Sequence, residues 1–177
     1  MPLPTVIVLA SGRGERFRAS GGTSHKLQAV VAGRTVLDHT LQRVRDCGLP
    51  FYIEDRGHPG MGDSIAAAVK ATSEAHGWLI LPADLPCVQP ETLQRVASAL
   101  TEHPVVVPMF EGQRGHPVGF SRICGKALQA LRGEQGGAQL TRQHTPFFME
   151  VADSGITMDI DTVDDLQRFA RRLGSTQ

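Results

Sequence analysis

The first regular feature of the chain is Thr5-Val6-Ile7-Val8-Leu9-Ala10, a continuous apolar run rich in β-branched residues and followed, one residue on, by glycine. No polar position alternates with the apolar ones, so the run predicts a strand buried on both faces. After a long Gly/Ser-rich stretch, Val36, Leu37, Thr40, Leu41 and Val44 recur at helical spacing over residues 36–45. Gly48-Leu49-Pro50 stops that helix before a strand at residues 51–54. The pattern repeats with a helix over about residues 63–74, a strand at 78–81, a helix at 90–100 and a strand at 105–107. Strands alternating with amphipathic helices predict an α/β fold: Rossmann-like and doubly wound, a mostly parallel sheet with helices on both faces.

Further along, residues 118–120 predict a short strand and Ser121 a cap for a helix reaching Leu131, followed by a Gly-rich loop at 133–137. Residues 147–151 and 157–160 read as two more strands. Thr162 with Asp165 three positions on resembles a capping box that opens a last helix to Leu173.

The chain has 177 residues, 41% of them hydrophobic, enough for a core and the size of one domain, expected to span residues 1–177. No apolar stretch approaches the roughly 20 residues that span a bilayer, and the N-terminus has no basic leader, so a cytoplasmic protein without a membrane partner is expected. Eighteen basic and eighteen acidic side chains cancel, which leaves no net electrostatic drive toward nucleic acid. Cys47, Cys87 and Cys124 lack metal-ligand or redox spacing and read as reduced, buried thiols. Local charge is more informative. Residues 1–34 hold Arg13, Arg16, Arg18, Lys26 and Arg34 against Glu15 alone, whereas residues 143–167 hold Glu150, Asp153, Asp159, Asp161, Asp164 and Asp165 with no Lys or Arg.

The basic end coincides with the glycine loop that follows the first strand. Glycines let backbone N–H groups approach phosphate oxygens, and the switch point of an α/β sheet is where such ligands lie. Phe17 stands where a dinucleotide fingerprint needs its third glycine, and Lys26 precedes Leu27 rather than the Ser or Thr of a P-loop. Lysine is rare here, with only Lys26, Lys70 and Lys126 in the chain. A compact ammonium suits one phosphate oxygen and the Arg16 fork a bidentate grip, though solvated loop arginines explain the same residues equally well.

Asp84 lies just past an apolar strand and between Pro82 and Pro86, so its carboxylate is expected in the crevice outside the strand ends, or else opening a turn. On a strand, Asp159 and Asp161 would share one face and repel unless a cation intervened. Magnesium, which takes one or two protein carboxylates and fills its shell with water and phosphate oxygens, suits Asp84 with Asp161. The sequence holds no G-x-S-x-G or H-E-x-x-H, and its seven histidines, His25, His58 and His116 among them, lack zinc-ligand spacing.

Six segments in order, Leu9-Ala10-Ser11-Gly12-x-Gly14-x-Arg16-Phe17, Lys26-Leu27, Gly60-Met61-Gly62-Asp63-Ser64, Pro82-Ala83-Asp84-Leu85-Pro86, Gly115-His116-Pro117 and Asp159-Ile160-Asp161-Thr162-x-x-Asp165-Leu166, resemble the molybdenum cofactor nucleotidyltransferases, especially the cytidylyltransferase branch. The resemblance spans nearly the entire chain. It implies the nucleotide-diphospho-sugar transferase type of fold and transfer of NMP, CMP from CTP, to the phosphate of molybdopterin with release of pyrophosphate. It also implies a nucleotide site of Leu9, Ala10, Ser11, Gly12, Gly14, Arg16 and Lys26, with Gly62, Ser64, Pro82, Ala83 and Asp84. Arg16, Lys26 and Asp84 would be catalytic, Asp84, Asp161 and Asp159 would hold Mg2+, and Gly115, His116 and Pro117 would line the acceptor side. A molybdoenzyme or its maturation factor would receive the product. Lys26 follows Arg16 by ten positions, a longer interval than in the family's loop, and Ser11 replaces the usual Ala or Gly. Two alternatives stay open: a cytidylyl- or guanylyltransferase for another phosphorylated acceptor, a sugar or isoprenoid phosphate, and a non-catalytic delivery protein for nucleotide or cofactor.

Overall fold

A computed structural model describes residues 2–12, 15–22 and 25–175. Its frame is a seven-stranded sheet built on β1 (Thr5–Leu9), which lies between β4 (Phe51–Glu54) and β5 (Gly77–Pro82), parallel to both. Next to β5 comes β8 (Val118–Ser121), antiparallel, then β6 (Val105–Phe110), which pairs with the short β7 (Gln113–Arg114) and with β9 (Phe147–Glu150). Five of the seven strands run in one direction, with β8 and β7 opposed. The small hairpin β2 (Val30–Val31) and β3 (Arg34–Thr35) stands apart, inside the region that reads as loop in the sequence.

The uninterrupted apolar character of β1 follows from its place. Val6 and Val8 enter one hydrophobic cluster and Ile7 the cluster on the other face, all at 0% exposure. Leu79 and Leu81 of β5 join the first cluster, Trp78 and Ile80 the second. Helices α2 (Val36–Cys47), α4 (Pro90–Ala99) and α6 (Val163–Gly174) send side chains into the first cluster, and α3 (Met61–Ala71) and α5 (Gly125–Gln129) into the second. Thr35 caps α2 by accepting from the Asp38 N–H, and Gly48 closes it at φ 76°, a backbone that other residues rarely adopt. A further short helix, α1 (Glu15–Ala19), follows the first loop. Cys47, Cys87 and Cys124 are buried and free. Among the described residues no helix is long and apolar enough to cross a membrane.

Three sequence expectations need correction. Residues 157–160 form no strand: a 3-10 turn, Ser154–Thr157, is followed by irregular chain. Buried Asp153 caps that turn through the Gly155 N–H and is itself held by the Gln89 N–H and the Thr92 hydroxyl. A Cβ at Gly155 would run into the Cys87 carbonyl, so the turn sits too close to a neighbouring backbone for any other residue. Asp159 and Asp161 therefore do not share a strand face. Ser121 makes no side-chain cap, and the helix expected after it splits into a 3-10 turn, Arg122–Cys124, and the short α5. The helix expected from residue 63 starts at Met61 and ends at Ala71.

Candidate functional site

The chain leaves β1 for β4 on one side of it and returns to β5 on the other, so a crevice opens beyond the C-terminal ends of these strands. It holds a cavity of about 610 Å3. At its polar end the Lys26 ammonium donates to Asp84 Oδ2 at 2.7 Å and to Asp161 Oδ1 at 3.2 Å, and Arg16 Nη1 donates to Asp161 Oδ2 at 3.0 Å. One cation thus bridges carboxylates 77 positions apart in the sequence, both brought to it by backbone hydrogen bonds.

Asp84 is set by the residue before it. The Ala83 N–H donates to the Leu9 carbonyl, and the buried Thr40 hydroxyl of α2 donates to the Ala83 carbonyl at 2.7 Å. The Ile160 N–H donates to the Asp84 carbonyl and draws the 159–161 segment alongside. Asp165 Oδ2 then takes the Asp161 and Thr162 N–H groups, both at 2.9 Å, while the Thr162 hydroxyl accepts from the Asp165 N–H. The expected capping box is present with Asp as its acid. Lys26 opens a 3-10 turn, Lys26–Gln28, capped by His25, whose Nδ1 accepts from the Leu27 N–H and whose Nε2 lies against the Gly12 carbonyl. His25 thereby links Gly12 to the Lys26 turn, and α1 with the turn after it accounts for the described part of the long interval between Arg16 and Lys26.

The charges at this end are strongly coupled. Burial works to lower the Lys26 pKa, but Asp84 and Asp161 outweigh it and hold the ammonium above its ordinary value. Burial would raise Asp161; the Asp159 carboxyl, Lys26 and Arg16 hold it below the carboxylate range instead. Asp159, desolvated and hydrogen-bonded beside the Asp161 charge, is pushed up to about 6. Oxygens of Asp84, Asp159 and Asp161 lie within 4.8 Å of one another, a set of hard donors suited to a divalent cation such as magnesium or manganese. Asp84 Oδ1, buried and without a hydrogen-bond partner, is a free donor for such an ion.

Of the other residues predicted to hold nucleotide, Leu9, Ser11, Gly12, Ser64, Pro82 and Ala83 line the cavity, and the Ser11 and Ser64 hydroxyls meet at 3.1 Å. Two do not. The Ala10 N–H is taken by the Glu54 carbonyl and the Gly62 N–H by the Gly133 carbonyl, so neither amide is free for a phosphate. Gly14 lies outside the described residues. Gly115, His116 and Pro117 do not line the cavity, although the charge of Asp84, which does, acts on the His116 ring. The Gly115 N–H bonds the Pro108 carbonyl, and the His116 ring is buried, which lowers its pKa, with Nδ1 unpartnered.

His25 and Thr40 were not singled out for these roles by sequence reasoning, nor was Asp165 as the holder of the Asp161 N–H, nor the pair Glu54 and His58 at the end of β4. Glu54 carried a readable signal: like Asp84, it is an acid at the end of an apolar strand.

A family model described as the MobA-like NTP transferase domain matches residues 43–147, more than half of the chain. The chain belongs to this family. The matched span includes Asp84, whereas Lys26 and Asp161 lie outside it. The bifunctional protein GlmU of Desulfitobacterium hafniense is 25% identical over 153 residues, covering 75% of this chain and 33% of that protein. The chain thus spans about a third of the length of this curated relative. Rv0371c of Mycobacterium tuberculosis has the same fold, with a TM-score of 0.80 at 24% identity over 96% of this chain and 98% of that one. That protein is also known in complex with manganese, where the TM-score is 0.76 at the same 24% identity and the same coverage of both chains. Molybdopterin-guanine dinucleotide biosynthesis protein A of Archaeoglobus fulgidus shares the fold at TM-score 0.69 and 17% identity, over 98% of this chain and all of that one.

Proposed function

We propose that the protein is a nucleotidyltransferase that moves CMP from CTP to the phosphate of molybdopterin, releasing pyrophosphate and forming a dinucleotide cofactor. The observation that carries this reading is the Lys26 bridge between Asp84 and Asp161 at one end of a nucleotide-sized cavity, with Arg16 on Asp161. Family membership supports the reaction class, and the order of motifs along the entire chain supports the acceptor.

In the reaction an acceptor phosphate oxygen attacks the α-phosphorus of the nucleotide. A new P–O bond forms, and the bond to the β-phosphate oxygen breaks with its electron pair on pyrophosphate. A phosphate monoester has its second pKa near 6 and is largely dianionic at neutral pH, so the nucleophile needs no general base. The work left to the protein is alignment and charge neutralisation. Lys26 and Arg16 supply cations where the phosphates gather. Asp84 and Asp161, with Asp159 beside them, would hold Mg2+, which when bound offsets the charge on the phosphate oxygens. His25 keeps the glycine loop closed against the Lys26 turn. Gly115, His116 and Pro117 are assigned to the acceptor side, and a molybdoenzyme or its maturation factor to the receiving end.

The test is pyrophosphate release with molybdopterin and Mg2+, run with CTP, GTP, ATP and UTP in parallel. CTP-selective release is expected. Silence with molybdopterin but release with a sugar or isoprenoid phosphate would reassign the acceptor. Silence with every acceptor, alongside nucleotide binding, would leave a delivery protein.

A further inference from the structure

One buried charged group has no part in the chemistry above. Glu54, at 0% exposure, closes β4 where that strand stands in register with Leu9 of β1. A carboxylate taken out of water is costly unless it is fully hydrogen-bonded. Here Oε1 accepts from the Arg56 N–H at 3.3 Å, from Arg56 Nε at 3.2 Å and from His58 Nε2 at 3.0 Å, and Oε2 accepts from Arg56 Nη2 at 3.2 Å. Burial alone would push its pKa up; these donors hold it below the ordinary range. Arg56 is an exposed outer clamp, while His58 is mostly buried and is the partner that lines the cavity.

His58 comes to the cavity from the β4 side of β1, whereas Asp84 comes from the β5 side. The cavity lining includes the apolar Leu9, Pro59 and Met61, surfaces suited to the face of a heterocycle, along with the polar Ser11 and Ser64. With Nε2 committed to Glu54, the ring has one nitrogen left. Nδ1 makes no hydrogen bond among the described residues.

We propose that His58 reads the nucleobase, its Nδ1 accepting from an exocyclic amino group, and that Glu54 is the positioning residue that fixes the ring. The inference rests on the nucleotide reading above and narrows it. The proposed ring is neutral: Nε2 carries the hydrogen because the Glu54 carboxylate it faces only accepts, and Nδ1 is then left to accept. Cytosine presents an amino donor where uracil presents a carbonyl, so UTP would set acceptor against acceptor. A site built around a hydrogen bond discriminates chiefly by leaving its polar group unpaired with the wrong ligand.

Isothermal titration of the wild type and His58→Ala with CTP, UTP and inorganic tripolyphosphate, all with Mg2+, tests the assignment. The wild type is expected to prefer CTP over UTP by about tenfold, the effect of one hydrogen bond. His58→Ala should bind CTP about tenfold more weakly, lose the preference and keep its affinity for tripolyphosphate, while its melting temperature falls modestly because Glu54 loses one donor. Glu54→Gln, if it folds, should lose part of the same preference. A folded His58→Ala that keeps the CTP to UTP ratio, or that loses tripolyphosphate as much as CTP, overturns the inference. A wild type that binds CTP and UTP equally overturns it while sparing the transferase reading; a wild type that binds none of the three ligands overturns both.

Discussion

Lys26 puts an ammonium on the carboxylate oxygens that a divalent cation would also use. A metal ion held by these carboxylates would compete with the ammonium and leave Lys26 available for phosphate. Lys26→Met keeps the aliphatic stem and removes the charge. Its pyrophosphate release should fall about 10²–10³-fold, the usual loss for one preorganised charge-stabilising donor. Its Mn2+ affinity, measured by titration without nucleotide, should rise above that of the wild type; an unchanged affinity would mean that Lys26 does not occupy the cation's place. Asp159 gives a pH signature. Its folded-state pKa of about 6 lies above the ordinary 3.8, so between these values the folded protein binds the proton more tightly than the unfolded chain. The contribution of Asp159 to stability therefore falls as pH rises through that window. Asp159→Asn should melt progressively higher than the wild type from about pH 4 to pH 7 in metal-free buffer, and the difference should level off above that range.

Helix α6 does two jobs with one residue. Asp165 completes the cap of the helix and also holds the Asp161 N–H. Thr162→Ala removes half of the capping box and should cost about 1 kcal/mol, read from the urea midpoint. Asp165→Ala should cost a similar amount and in addition weaken Mn2+ binding, because Asp161 loses the bond that sets its backbone. Equal Mn2+ affinity in the two variants would separate the cap from the site. The cap itself is legible in the sequence because it needs only two residues three positions apart. The turn just before it is not. Residues 157–160 have the apolar and polar alternation of a strand, but the Ile160 N–H goes to the Asp84 carbonyl and the preceding turn is held by Gln89 and Thr92, contacts that no local pattern announces.

Across the molecule, the site closes very long intervals of chain. Arg16 meets Asp161 across 145 positions, and Ser20 accepts from the Val163 N–H across 143, so the first loop and the last helix are tied at the cavity. Such closure predicts one cooperative unit. Calorimetry should show a single transition, and CTP with Mg2+ should raise it as a whole, by about 2.7 kcal/mol at a hundred times the dissociation constant. Two transitions, only one of them moved by ligand, would divide the chain into separate units. The β8 strand is a second decision made at this scale. Its short apolar run is readable, but its antiparallel place between β5 and β6 depends on partners about 40 positions before it and 15 before it.

Periodicity and end signals sufficed for β1, β4, β5 and β6, for helices α2 and α4, for the α6 cap and for a basic loop facing an acidic segment, since these depend on how neighbouring residues bury or satisfy one another. The order of motifs sufficed for the family. Tertiary structure alone decided which acids meet Lys26, that the Ala10 and Gly62 amides are already spent on backbone, that His116 does not line the cavity, and that buried Glu54 holds His58 at its wall. The physical reason is that a polar group is satisfied by whatever the fold brings within hydrogen-bonding distance, and at this site those partners come from both ends of the chain.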